Sequence, residues 1–242
     1  MTDKSAIILG ASGSVGQALL AEIVRSGKFN PVIVMTRRPL GLNLGAIVEE
    51  RLVPDMTPAS LTQAVVDVLS SQNAEAVGFS TLGVGANTAK LTLEEHRAID
   101  VELNAAFAKG LKDSGKVQHL AYMSAIGADI HAKTTGSGAA GMARYNRVKG
   151  EAEAAVQKFG PALVSIFRPS LIVGSQHTPR VLAAISPLFA PLIPANYRPI
   201  RTSEIAQAMV AAATSMPGKS AIYGYSEMKK LMASVSEYIN GG

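Results

Sequence analysis

The chain of 242 residues contains no cysteine. Disulfides, thiol nucleophiles and zinc–thiolate sites are therefore excluded, and the absence agrees with a reducing compartment. Aromatic residues make up only 5% and the net charge is only +5. The basic doublets are Arg37-Arg38 and Lys229-Lys230, with Arg201 isolated. A nucleic-acid-binding chain usually concentrates such residues in a stripe, so that class is disfavoured. His96, His119, His131 and His177 have no metal-ligand spacing, and no metal is expected. His119 falls within a strand-like run and reads as structural. His96, in "LEEHR", reads as a solvated helix residue, and His177 lies in a loop that could touch substrate. No G-x-S-x-G elbow marks a hydrolase. The amino-terminal apolar run is too short for a signal peptide. No stretch approaches the roughly 18 apolar residues of a membrane span. The nearest, "VLAAISPLFAPLIPA" at 181–195, is broken by three prolines. It reads as core, a pocket lid or a subunit interface. These absences predict a soluble cytoplasmic protein, with no membrane span and no nucleic-acid partner, acting as a monomer or homodimer.

What is present is a large apolar fraction, 48%, with no internal repeat or low-complexity tract. That supports one sizeable core. Continuous apolar runs predict strands at 6–9, 31–36, 46–53, 74–81, 117–124 and 162–169. Helical spacing predicts helices at 17–26, 58–70, 92–113, 141–159, 203–215 and 226–238. Six strands alternating with helices argue an α/β fold: a Rossmann-type, doubly wound parallel sheet. We expect a single domain over 1–242, with a cofactor-binding core at 1–169. The irregular, proline-rich 170–242 would cover the substrate above the carboxyl ends of the strands.

The first strand runs into "GASGSVG", with glycines at 10, 13 and 16. Gly10 would permit the tight turn and Gly13 the approach of a pyrophosphate. Gly16 would allow close helix packing, with the helix amino end facing the phosphates. No Walker lysine follows, so a mononucleotide P-loop is disfavoured. An NAD site usually has an acid about 20 residues past the glycines. Here that place holds Thr36, then Arg37 and Arg38, with no acid before Glu49. Two guanidiniums suit a 2′-phosphate, which points to NADP(H); an ordinary solvated pair is the alternative. Asp55 reads either as an adenine contact or as a turn acid.

Ser124 closes the fifth strand, and "RYNRVKGEAE" sets Tyr145 and Lys149 four apart on one helical face. A phenol beside an ammonium is a proton donor suited to carbonyl reduction, because the cation stabilises the phenolate. Ser124 could hydrogen-bond the substrate oxygen. A surface i,i+4 pair and a strand-capping serine are the plain alternative.

In order, "ILGASGSVGQALL", "VMTRRP", "GFSTLG", "YMSAIGAD", "RYNRVKGEAE" and "SIFRPSLIVG" resemble the short-chain dehydrogenase/reductases. The similarity is to their atypical, extended-like branch, and within it to the Tat-interacting-protein oxidoreductases. It covers about residues 5–180. The resemblance implies an NADP(H)-dependent oxidoreductase. Ser12, Gly13, Ser14 and Val15 would line the pyrophosphate, Arg37 and Arg38 would meet the adenosine phosphate, and Thr81, Leu82 and Gly83 would edge the cofactor. Tyr145 and Lys149 would be catalytic, with Lys149 also holding the nicotinamide ribose. Pro169, Leu171 and Ile172 would border the nicotinamide, and Arg180 would reach cofactor or substrate. Three features depart from the pattern. Ser124 is followed by Ala125 and Ile126 where relatives often carry further hydroxyls, so Ser124 is less secure than Tyr145. The glycine-rich stretch 131–142 is longer than the family pattern and reads as a loop beside the active site. Only 170–242 remain to form a substrate region, so a bulky sugar nucleotide is disfavoured. A small carbonyl or alcohol is the expected substrate. The alternatives are a dinucleotide-binding regulatory protein with little chemistry, or an epimerase-like enzyme that retains its cofactor.

Overall fold

The computed structural model describes residues 4–41, 45–133, 139–174 and 194–240. Seven parallel strands form the central sheet: β1 (Lys4–Leu9), β2 (Phe29–Thr36), β3 (Val48–Leu52), β4 (Ala76–Ser80), β5 (Val117–Met123), β6 (Leu163–Phe167) and β9 (Ala221–Tyr223). Their order is β3-β2-β1-β4-β5-β6-β9. A second, two-stranded sheet pairs β7 (Ile172–Val173) with β8 (Ile200–Arg201).

The alternation of side chains along β1 builds two cores. Ala6 and Ile8 face α1 (Ser14–Ser26) and α6 (Thr202–Ser215), where they join Leu19, Ile23, Ile205 and Met209. Ile7 and Leu9 face the other way. They meet Leu61 of α2 (Pro58–Ser70), Phe107 and Leu111 of α4 (Asn104–Asp113), and Val156 of α5 (Ala139–Phe159). A strand buried on both faces must be apolar throughout, which explains the unbroken runs in β1 and β2.

Local chemistry sets the helix boundaries. Helix α1 stops at Gly27, in the left-handed region at φ 62°, whose N–H returns to Val24. Helix α2 starts where the Thr57 side chain accepts from Ser60 N and Pro58 takes the first turn.

The predicted 92–113 helix differs in detail. A capping box of Thr92 and Glu95 starts α3 (Leu93–Arg97), which widens into a π-helical turn at Ala98–Leu103 before α4. The expectation of six strands also missed β7 and β8, and β9, which adds a seventh strand at the sheet edge. These are two or three residues long and are defined by pairing rather than by periodicity. Helix α7 (Tyr225–Asn240) follows β9. Most of the 181–195 segment lies outside the described residues, as do Arg180 and His177.

Candidate dinucleotide site

Between β1 and β4 the winding direction reverses, which opens a crevice at the carboxyl ends of these strands. A cleft of about 440 Å³ lies there, lined among others by Gly10, Ser12, Arg37, Arg38, Met56 and Leu82. Gly10 has φ +89°, and a Cβ there would stand 2.5 Å from Leu82 N. Two loops thus approach at backbone distance, which only glycine permits. A Cβ on Gly16 would fall 2.1 Å from the Gly10 carbonyl oxygen, so the first turn of α1 seats directly on the loop. Gly13, by contrast, would meet nothing nearer than 3.6 Å. The amino end of α1 has neither a side-chain cap nor an acid in its first turn. Its N–H groups and the open face at Gly13 therefore fit an anionic diphosphate.

Arg37 and Arg38 are exposed at the end of β2, and neither makes an ion pair among the described residues. Thr36 Oγ1 donates to the Arg38 carbonyl at 2.7 Å and fixes the start of this loop. Thr81 is buried and donates to the Gly10 carbonyl at 3.2 Å, while Leu82 lines the cleft. Asp55 lies in the turn between β3 and α2. Its carboxylate accepts from Ser60 Oγ at 2.6 Å and from Thr57 Oγ1, bonds that hold it below the usual carboxylate range. It faces a neighbouring depression along α2, and Met56 lines the cleft instead.

At Gly83, the residue after Leu82, the second half of the site begins. Lys149 of α5 is buried and makes an ion pair with buried Asp100 at 2.8 Å. A Cβ on Gly83 would sit 2.8 Å from Lys149 Nζ and 3.1 Å from Asp100 Oδ2, so the pair lies directly beneath this turn. Burial opposes the charge on Lys149, but Tyr122, Asp100 and Tyr145 around it raise its pKa above the ordinary lysine value. Burial likewise opposes the Asp100 charge, but Lys149, with help from His96 and the Val84 N–H, holds the carboxyl down at about 2. Lys149 Nζ stands 5.8 Å from the centre of the half-buried Tyr145 ring. The expected pair is therefore brought together beside the cleft.

Sequence reasoning missed Asp100 and misplaced His96. His96 is fully buried, not solvated: it stacks on Tyr145 with ring centres 6.1 Å apart, and its Nε2 lies 3.7 Å from Asp100. The cause is the packing of α3 and the π-helical turn against α5, which turns that face inward. Asn104 completes the support. Its Nδ2 donates to the Asp100 and Leu82 carbonyls, and its Oδ1 accepts from Ser80 Oγ at 2.5 Å.

Ser124 is buried, with its hydroxyl donating to Glu153 Oε1 at 2.5 Å. Arg168 grips the same carboxylate from the other side with two hydrogen bonds. Pro169 is buried and its carbonyl accepts from Ile126 N, Leu171 is exposed, and Ile172 lies in β7. His119 bonds Ser165 Oγ at 2.8 Å inside the sheet, consistent with a structural role. Among the described residues no group of His, Asp or Glu is arranged to hold a metal ion, and no helix is long and apolar enough to cross a membrane.

A parallel sheet with a glycine turn, a bare helix amino end and a cleft at its switch point defines a Rossmann-type dinucleotide-binding protein. Residues 10–215 match the NAD(P)H-binding family, and the chain belongs to it. Protein FMP52, mitochondrial, of Eremothecium gossypii is 29% identical over 177 residues, covering 72% of this chain and 69% of the relative. Protein HTATIP2 of Rattus norvegicus is 28% identical over 174 residues, covering 72% of this chain and 64% of the relative. The match to the rat protein thus spans less than two thirds of its length. The short-chain dehydrogenase/reductase resemblance in the sequence agrees with these relatives. Among solved structures, MoeE5 in complex with UDP-glucose and NAD superposes with TM-score 0.65 at 17% identity, over 96% of this chain and 82% of that one. A short-chain dehydrogenase from Streptomyces avermitilis gives 0.62 at 18% identity, over 100% and 94%. At those identities the likeness concerns the fold. The mitochondrial label on one relative leaves the cytoplasmic expectation without support from that side.

Proposed function

We propose that the protein is an NADP(H)-dependent oxidoreductase that moves a hydride between the nicotinamide and a small carbonyl or alcohol. The observation that carries this reading is the placement of Lys149 against Gly83, with the Tyr145 ring 5.8 Å from its ammonium, beside the Leu82 turn that lines the dinucleotide cleft. The fit of cleft to cofactor rests on the bare amino end of α1 for the diphosphate and on Arg37 and Arg38 for a 2′-phosphate.

When bound, the nicotinamide supplies or accepts the hydride. Tyr145 would donate a proton to the carbonyl oxygen as hydride arrives, and accept one in the reverse direction. The Lys149 ammonium favours the negative charge that develops on the phenol oxygen. It also has three N–H donors, of which the Asp100 pair engages one and leaves others for a ribose hydroxyl. Thr81, Leu82 and Gly83 would edge the nicotinamide half, with Pro169, Leu171 and Ile172 across from them. Ser124 contributes less directly, since its single proton is given to Glu153.

One observation favours a second reading, a dinucleotide-binding regulatory protein with little turnover: the hydroxyl that would hold a substrate oxygen is internally occupied. A turnover screen of small aldehydes, ketones and alcohols with NADPH and NADP⁺ separates the two. Oxidation of NADPH by at least one carbonyl, lost in Tyr145→Phe, is the expected result. Tight NADPH binding without turnover across the screen would favour the regulatory reading.

A further inference from the structure

We infer that Asp100 is a positioning residue for the proposed reaction, holding the Lys149 ammonium against the cofactor-lining turn and matching its charge. The inference rests on the reading of Tyr145 and Lys149 given above. Its basis is that the two oxygens of one buried carboxylate serve two parts of the site. Oδ1 accepts from Val84 N at 2.8 Å and so fixes the turn that follows Gly83. Oδ2 meets Lys149 Nζ, also at 2.8 Å. The turn and the lysine are therefore one unit, joined through Asp100.

Three further features suit that role. A lysine has four rotatable side-chain bonds, and ordering them needs a fixed partner. The absence of a side chain on Gly83 leaves the room in which the ammonium and the carboxylate meet. Asn104, itself held by the Ser80 hydroxyl, donates to the Asp100 and Leu82 carbonyls, so the partner is itself fixed. The π-helical turn at Ala98–Leu103 belongs to this arrangement, because its widened turn carries Asp100 and directs it toward α5. His96 and the phenols of Tyr122 and Tyr145 are the other titratable groups around the pair.

The test is a double-mutant cycle of Asp100→Asn and Lys149→Met, read by NADPH fluorescence titration, by thermal melting and by the pH profile of turnover. Asparagine keeps an acceptor for Val84 N–H but leaves the ammonium buried without a counter-charge. Each single variant should bind NADPH about tenfold more weakly, and the double variant no more weakly than Lys149→Met. Melting should fall by about 10 °C in Asp100→Asn and recover in part in the double variant, which buries no lone charge. The pH profile of turnover should shift in Asp100→Asn, because a negative charge has been removed from beside the ammonium that faces Tyr145. Affinity and pH profile unchanged in Asp100→Asn, or losses that multiply in the double variant, would overturn the inference. Should Asp100→Asn alone not fold, equal NADPH affinity in the double variant and Lys149→Met supports the inference, and a further tenfold loss overturns it. If the unmodified protein binds no NADPH, the proposed function falls and this role with it. Normal NADPH binding with an indifferent Asp100 sinks only the role of Asp100.

Discussion

Ser124 and Glu153 are joined by a buried hydrogen bond: the serine hydroxyl donates to Glu153 Oε1 at 2.5 Å, and Arg168 clamps the same carboxylate. A hydroxyl has one hydrogen, so a substrate carbonyl oxygen meets no free donor at Ser124 while this bond stands. Ser124→Ala should therefore act first on stability, lowering it by about 1–2 kcal/mol, the usual cost of removing one partner from a buried hydrogen bond. Turnover should fall far less than in Tyr145→Phe. Chemical denaturation and steady-state kinetics on the same preparation check both halves.

Tyr145→Phe removes the phenol hydroxyl but keeps the ring that stacks on His96. Fold and NADPH affinity should survive, while turnover drops by about 10²–10⁴-fold, the usual share of a general acid. A rate equal to that of the unmodified protein would take this tyrosine out of the mechanism.

Arg37 and Arg38 line the cleft without an ion-pair partner among the described residues. Replacing both by alanine should weaken NADPH by about 10–100-fold and leave NADH nearly unchanged, at roughly 1.5–3 kcal/mol for charge-assisted hydrogen bonds. Calorimetric titration of each dinucleotide measures the ratio. Equal affinity of the unmodified protein for both would remove the 2′-phosphate argument.

The buried imidazole of His119 gives the fold an acid-sensitive point. Burial, aided by the charge of Lys4, lowers its pKa from 6.5 to about 4. The unfolded chain thus binds a proton that the folded chain refuses between those values. Its contribution to stability is complete above 6.5 and is lost as pH falls toward about 4. Melting temperature should decline across that interval, and His119→Gln should make the decline shallower. An equal slope in the variant would show that other groups carry the acid sensitivity.

The order of strands and helices was legible because β1 and β2 contain the unbroken apolar runs 6–9 and 32–35 and because Gly27, Thr57 and Pro58 mark helix ends. Helix 58–70 is found at its expected limits. Strand β9 was not legible: Ala221, Ile222 and Tyr223 have no periodic signal, and only their ladder to Ser165, Ile166 and Phe167 makes them a strand. Within the site, the glycine turn and the Tyr145–Lys149 pair follow from local spacing. Asp100 and His96 do not, because "LEEHRAID" has the polar composition of a solvated helix and is buried only by contact with α5. Glu153 was hidden for the same reason, in a stretch whose composition reads as surface.

The reversal of winding between β1 and β4 also bears on how the molecule comes together. The ladder from Ser5↔Ala76 to Leu9↔Ser80 joins segments about 70 residues apart, whereas β1, α1 and β2 are close neighbours along the chain. Long-range parallel pairing carries the larger loop-closure cost and is slow relative to local contacts. Gly10 lies on one side of that seam and Leu82 on the other, so the cleft does not exist until the two halves of the sheet have zipped together. The site thus depends on a long-range pairing, not on local structure alone. An isolated segment that ended before β4, however well it formed β1 to β3, would carry the glycine loop and the arginines and lack the Leu82 wall they face.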